Sequence, residues 1–273
     1  MSNNRNNPGS RSSNPVFSRG FPGQGSATFG NVPTPDASQL NQMYNTPAYA
    51  PPRYMTLDDV VVRTLATLGM VILGGAVSWF VLPLDTALGL ALPAVLVGFV
   101  LAMIISFRQI TNPGLILAYA AVEGVFLGAI SKYFESIPRF EGIVVQAVIG
   151  TLGVFGGMLV VYKTGAIRVT PKLQRWVFGA LIGVVVLMVV NLIASLITPG
   201  GLGLRNGGGM AIVFSLLCIG VAAFSFLLDF DMIDQAVRRG APERFAWYAA
   251  FGLTVTLVWL YLEILRLLSY FRQ

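Results

Sequence analysis

The chain has 273 residues, 11% of them charged and none of them His, with a mean hydropathy of +0.72. Soluble domains carry about 25% charged residues, so this composition excludes an ordinary water-soluble fold. A single Cys rules out an intrachain disulfide and a cysteine cluster for zinc or iron–sulfur, and the missing His removes the commonest neutral-pH base and metal ligand.

Residues 1–53 are rich in Asn, Ser, Gly and Pro, with scattered Arg5, Arg11 and Arg19. Such a composition cannot bury a core and predicts a disordered extension on the cytoplasmic side. The extension lacks the apolar h-region of a secretory signal, which argues against cleavage for export. Tyr44, Tyr49 and Tyr54 precede the first apolar run and suit a membrane interface.

From residue 54 to 273 the pattern predicts one all-α domain, a bundle of seven transmembrane helices. Apolar runs of about 20 residues, each long enough to cross roughly 30 Å of hydrocarbon, recur between short polar loops. They fall near 60–82, 86–106, 114–134, 142–162, 176–198, 209–229 and 246–269. Pro83, Pro113, Pro171 and Pro199 mark run ends, whereas Pro93 lies inside the second run and is expected to kink it. Small residues predict close helix packing in two places: Ala120, Gly124 and Gly128 in the third run, and Gly150, Gly153, Gly156 and Gly157 in the fourth.

The surplus of 18 Lys and Arg over 12 Asp and Glu then reads as basic loops rather than nucleic-acid binding. Alternating the loops puts Arg53, Arg63, Arg108, Lys163, Arg168, Lys172, Arg175, Arg238, Arg239 and Arg244 on one side. It puts Lys132, Arg139, Arg205, Arg266 and Arg272 on the other. The expected placement is a multi-pass protein of the cell membrane with a cytoplasmic N-terminus and a C-terminus on the far side.

Charge inside an apolar run is costly, about 2.5–3.5 kcal/mol at a helix centre, and therefore informative. Glu123 sits in the middle of AYAAVEGVFLGAI, and is either a proton or cation site or the counter-charge of a basic residue such as Arg63 or Arg108. Asn191 reads as an interhelical hydrogen bonder. Asp229, Asp231 and Asp234 form a D-x-D-x-x-D run where the sixth span is expected to meet its loop; Asp229 lies deepest, and the other two suit a hydrated helix end. Glu263 and Arg266 are spaced to pair along one helix face, with Arg266 near enough to the end to snorkel. Two buried carboxyls brought close together share a proton, and carboxylate oxygens suit calcium better than soft metals.

The run LLDFDMID at 227–234, followed by LVWLYLEILRLLSYF at 257–271, resembles the end of the Bax inhibitor 1 family, and the E-G-x-x-L-G stretch at 123–128 is similar to its third helix. The resemblance implies a seven-helix fold whose last helix is central, with the other six in two layers of three. It also implies a pH-sensitive calcium leak gated by an acid on the sixth helix and one on the seventh, which fall on Asp229 and Glu263. The family's closing arginine on the second helix has Arg108 as its candidate, and Arg266 is a second candidate partner for the gate. Two departures are visible: the last-helix acid is Glu263 where Asp is usual, and the segment between the two acids is longer.

The leading expectation is therefore a cation-conducting protein in which ionised Asp229 and Glu263 repel each other at higher pH and favour an open state, with protons and calcium as ligands and membrane lipid as its surroundings. No cofactor is expected. The alternative is a non-conducting regulator of another membrane protein, such as a quality-control protease. An enzyme is not expected: there is no His and no G-x-S-x-G motif. An alternating-access transporter finds no support in an inverted hydropathy repeat.

Overall fold

A computed structural model describes residues 36–38, 41 and 53–272. The chain divides into two units, Met1–Pro51 and Pro52–Gln273. In the first, the Asp36 carboxylate accepts hydrogen bonds from the Ala37 amide at 2.7 Å and the Ser38 hydroxyl at 3.1 Å. The rest of the predicted extension before residue 53, with Tyr44 and Tyr49, lies outside the described residues.

Among the described residues, the second unit holds seven helices long and apolar enough to cross a membrane. They are α1 (Leu57–Ala76, continued by a π-helical turn over Val77–Val81), α2 (Leu84–Arg108), α3 (Pro113–Glu135), α4 (Ile143–Thr164), α5 (Pro171–Ile197), α6 (Gly209–Arg238) and α7 (Phe245–Phe271). Local chemistry fixes their ends. Thr56 and Asp59 form a reciprocal capping box on α1, and Asn112 and Thr170 cap α3 and α5 just before Pro113 and Pro171. Glu135 reaches the amides of Gly142 at 2.6 Å and Val144 at 3.4 Å, placing a negative charge at the start of α4. Lys132 donates to the carbonyls of Trp79 and Leu82 at 2.9 and 2.6 Å, satisfying acceptors freed where α1 ends. Helix α2 runs through Pro93 without a break.

α1, α2 and α3 pack together, α4, α5 and α6 pack together, and α7 lies between the two groups. Half of the most apolar stretch of α7 is buried, against 11% in α5. Hydroxyl pairs tie α7 to its neighbours: Thr254 lies 2.9 Å from Thr67 on α1, and Tyr261 lies 2.6 Å from Ser131 on α3. These bonds keep polar side chains of the central helix satisfied away from water. α2 packs chiefly against α3, and α5 chiefly against α6.

The two glycine-rich stretches behave differently. A Cβ on Gly124 would meet the Val71 carbonyl and one on Gly128 would meet the backbone of Gly75, so the α1–α3 contact depends on both glycines. On α4, a Cβ on Gly150 would lie 3.2 Å from Ile264, but Gly153, Gly156 and Gly157 face no atom within 4 Å. The small residues of α4 therefore pack tightly at one position only, because the face bearing the others is not covered by a neighbouring helix.

Candidate functional site

α6 is longer than the apolar run that predicts it and continues to Arg238. Asp229, Asp231 and Asp234 consequently lie within a helix rather than at its junction with a loop. The extra turns are held by polar pairs one turn apart: Gln235 donates to Asp231 at 2.6 Å, and Arg238 pairs with Asp234 at 3.0 Å. Tyr162 of α4 also donates to Asp234, at 3.4 Å. Asp231 and Asp234 thus brace the last two turns of α6.

Asp229 instead faces α7. Its Oδ2 lies 2.8 Å from the hydroxyl of Thr256, which also lies 3.2 Å from the Gly252 carbonyl and has one proton to give. Donation to Asp229 leaves Gly252 with its helical partner, so the carboxylate is the better acceptor.

Glu263 is the most deeply buried charge of the bundle, with 1% of its surface exposed. Its Oε1 accepts from Arg266 at 2.8 Å and lies 4.0 Å from the guanidinium of Arg205. Its Oε2 is buried and has no hydrogen-bond partner among the described residues. Arg266 fulfils the expected pairing along the helix. Arg205, in the loop between α5 and α6, is the residue that sequence reasoning did not select. The loop is positioned by Asn191, whose Oδ1 accepts from the Leu202 amide at 3.0 Å. Asn191 therefore ties a helix to a loop and does not bridge two helices. Leu204 packs on the cluster of Val184, Phe214 and Cys218, which sets Arg205 over Glu263. Desolvation and the like charge of Arg266 hold the Arg205 guanidinium below its ordinary range, with Glu263 pulling the other way.

The structure does not bring Asp229 and Glu263 together. Thr256, the partner of Asp229, precedes Glu263 by two helical turns of α7, which is about 10 Å along the axis. The bounds of α6 and α7 account for the separation. The loop between them is short, α7 begins at Phe245, and its helical residues carry Glu263 past the level of Asp229. Mutual repulsion at van der Waals range and a directly shared proton are thereby excluded in this conformation. Among the described residues no group of three or more acidic or sulfur ligands converges to hold a metal, so the calcium expected at Asp229 and Glu263 has no joint carboxylate cage there.

Arg108 is exposed at the last residue of α2, the helix end on the side where α7 starts, whereas Glu263 lies toward the end of α7. It cannot close on Glu263. Arg63 bonds both the carbonyl and the carboxylate of Glu243 and lies 5.6 Å over the Trp247 ring. Glu123, 8% exposed, is thus paired with neither of the arginines considered for it.

A model of the Bax inhibitor 1 like family matches residues 13–273. An uncharacterised protein of Chlamydia muridarum is 30% identical over 129 residues, or 47% of this chain and 48% of that protein. The chain thus spans about half the length of this curated relative. With nearly all of its length matched by the family model, the chain belongs to the Bax inhibitor 1 like family.

Proposed function

We propose that this Bax inhibitor 1 like membrane protein is a pH-sensitive cation leak, with calcium as the ion carried. The observation behind the reading is the buried Glu263 carboxylate on the central helix, half satisfied by Arg266 and approached by Arg205 from a loop. Two turns away on the same helix, Thr256 donates to the Asp229 carboxylate of α6. A carboxylate so placed is expensive unless it is paired, protonated or joined by a cation, and each of those states alters its hold on the arginines.

On this reading the gate is Glu263 with its arginines, because Asp229 lies two helical turns away, and Asp229 is a second oxygen site. Ionised Glu263 attracts Arg205 and keeps the loop over the end of α7. Protonation removes that attraction, so flux rises as pH falls. Calcium entry into liposomes bearing the full chain, measured from about pH 6 to 8, tests this. Wild type should show a pH-dependent leak, Glu263→Gln a leak without pH response, and Arg205→Gln a raised leak at the high end. A folded wild-type protein with no flux at any pH rejects the reading.

The regulator reading draws on one contact. The Met55 amide donates to the Ala241 carbonyl, and the Glu243 amide to the Arg53 carbonyl, both within 2.9 Å. The chain entering α1 is thereby fastened to the loop joining α6 and α7. A membrane-protein partner gripping the extension before residue 53 would pull on the two helices that carry Asp229 and Glu263. Under that reading, deleting residues 2–50 removes the cellular phenotype while flux survives.

A further inference from the structure

Beyond the Glu263 gate, the α2–α3 seam holds a buried carboxyl with a different solution to the same problem. Glu123 lies ten residues into α3 and Gly98 ten residues before the end of α2. Both are about 15 Å from the same helix ends, the depth of the bilayer midplane. The carboxyl points at Gly98: a Cβ built there would lie 2.7 Å from Glu123 Oε2. The missing side chain on α2 is the space that the carboxyl occupies.

The other acids of the bundle interior all have donors. Asp229 has Thr256, Glu263 has Arg266, and Glu135 has two amides. Among the described residues no ion pair and no hydrogen bond reaches Glu123. Of the elements packed on α3, α2 presents Gly98 and α1 presents Val71 and Gly74 against Ala121 and Gly124, none of them charged. α7 presents Phe251 to Tyr119, at 5.1 Å between ring centroids. Lys132 and Glu135 are engaged at the far end of α3. Among the described residues the titratable group beside Glu123 is the buried Tyr119, one turn earlier on the same helix, which offers no positive charge.

An ionised carboxylate at the midplane with no cation and no donor is untenable in hydrocarbon. We propose that Glu123 is a proton-binding site of the α2–α3 seam, separate from the Glu263 gate, and that its proton keeps α2 seated on α3. The buried positions of α2 are Ala87, Ala91, Gly98 and Ile105, a narrow stripe of mostly small residues, and α2 packs chiefly against α3. Loss of the proton places a charge in the middle of that stripe, where water or a cation must enter and part the helices.

The test is covalent labelling of the full chain in lipid nanodiscs with dicyclohexylcarbodiimide, a membrane-soluble reagent that requires a protonated carboxyl. The proton of Glu123 moves to a reagent nitrogen and the carboxylate oxygen adds to the central carbon, so the adduct carries one whole reagent molecule. Peptide mass spectrometry should find the adduct on Glu123, declining severalfold from about pH 5 to 9, the span over which buried carboxyls ionise. A water-soluble carbodiimide should not produce it. In parallel, the distance between spin labels at Phe107 on α2 and Lys163 on α4, in a Cys218→Ala background, should lengthen at high pH and stay fixed in Glu123→Gln. No adduct on Glu123 at any pH, or labelling independent of pH, overturns the proposal. Because neither readout measures flux, failure of the leak reading leaves this result standing, and the reverse also holds.

Discussion

Two buried glutamates within one bundle show two ways of keeping a carboxyl in a membrane. On the α6–α7 side, Glu263 is met by Arg266 from its own helix and Arg205 from a loop. On the α2–α3 side, Glu123 is met by the empty space over Gly98 and by no cation among the described residues. The first arrangement stores opposite charges next to each other and is sensitive to anything that removes one of them. The second stores no charge as long as the proton stays. Burial alone therefore does not define what a membrane carboxyl does; the neighbouring helix does, by supplying either a guanidinium or a gap.

The largest effect that breaks this contrast is expected from Arg266→Ala. It leaves Glu263 with only the more distant Arg205 and destabilises the fold by about 3 kcal/mol, the lower part of the range for orphaning a buried charge. Thermal unfolding in detergent micelles checks it, and adding Glu263→Gln to the same chain should recover most of the loss. On the other side, Glu123→Gln should melt within about 0.5 kcal/mol of wild type at low pH, since a neutral group replaces a neutral group. Equal losses from both changes remove the distinction between the sites.

A smaller effect sharpens the reading of Asp229. Thr256→Val keeps the shape of the side chain and removes the hydroxyl donor, at a cost of about 1–2 kcal/mol for leaving the carboxylate oxygen without it. The change should leave the pH response of flux centred on Glu263, because Asp229 lies two turns away. A lost pH response would return Asp229 to the gate.

The smallest effect belongs to Gly98→Ala. The added methyl meets only the far end of the Glu123 side chain, which can shift, so the loss should be about 1 kcal/mol. In a Glu123→Ala background the same substitution should cost nothing, and the difference, read from a double-mutant cycle of melting temperatures, isolates the contact. A cost that persists without the carboxyl places the crowding elsewhere in the seam.

The seven spans, their order and a close-packing face on α3 were legible because each is written in local sequence: apolar length, prolines at run ends, and Gly124 and Gly128 one turn apart; that α1 covers this face was not. The pairing of Glu263 with Arg266 was legible for the same reason, since residues three apart on a helix are neighbours. Arg205 was hidden because its partner is 58 positions away and its loop is placed by Asn191 and Leu204, contacts that no spacing rule reveals. Its one clue was parity: an odd number of spans puts the α5–α6 loop on the same side as the end of α7 that bears Arg266.

What the sequence determined by itself is the membrane, the helices and the short list of charges that the bilayer makes expensive, because hydrocarbon imposes its cost on each residue whatever its partners. What only the tertiary structure decided is how each cost is met: Asp229 by a threonine, Glu263 by two arginines, and Glu123 by a glycine that leaves it room. The physical reason is that solvation is a property of a residue and its medium, whereas compensation is a property of two surfaces brought together by packing.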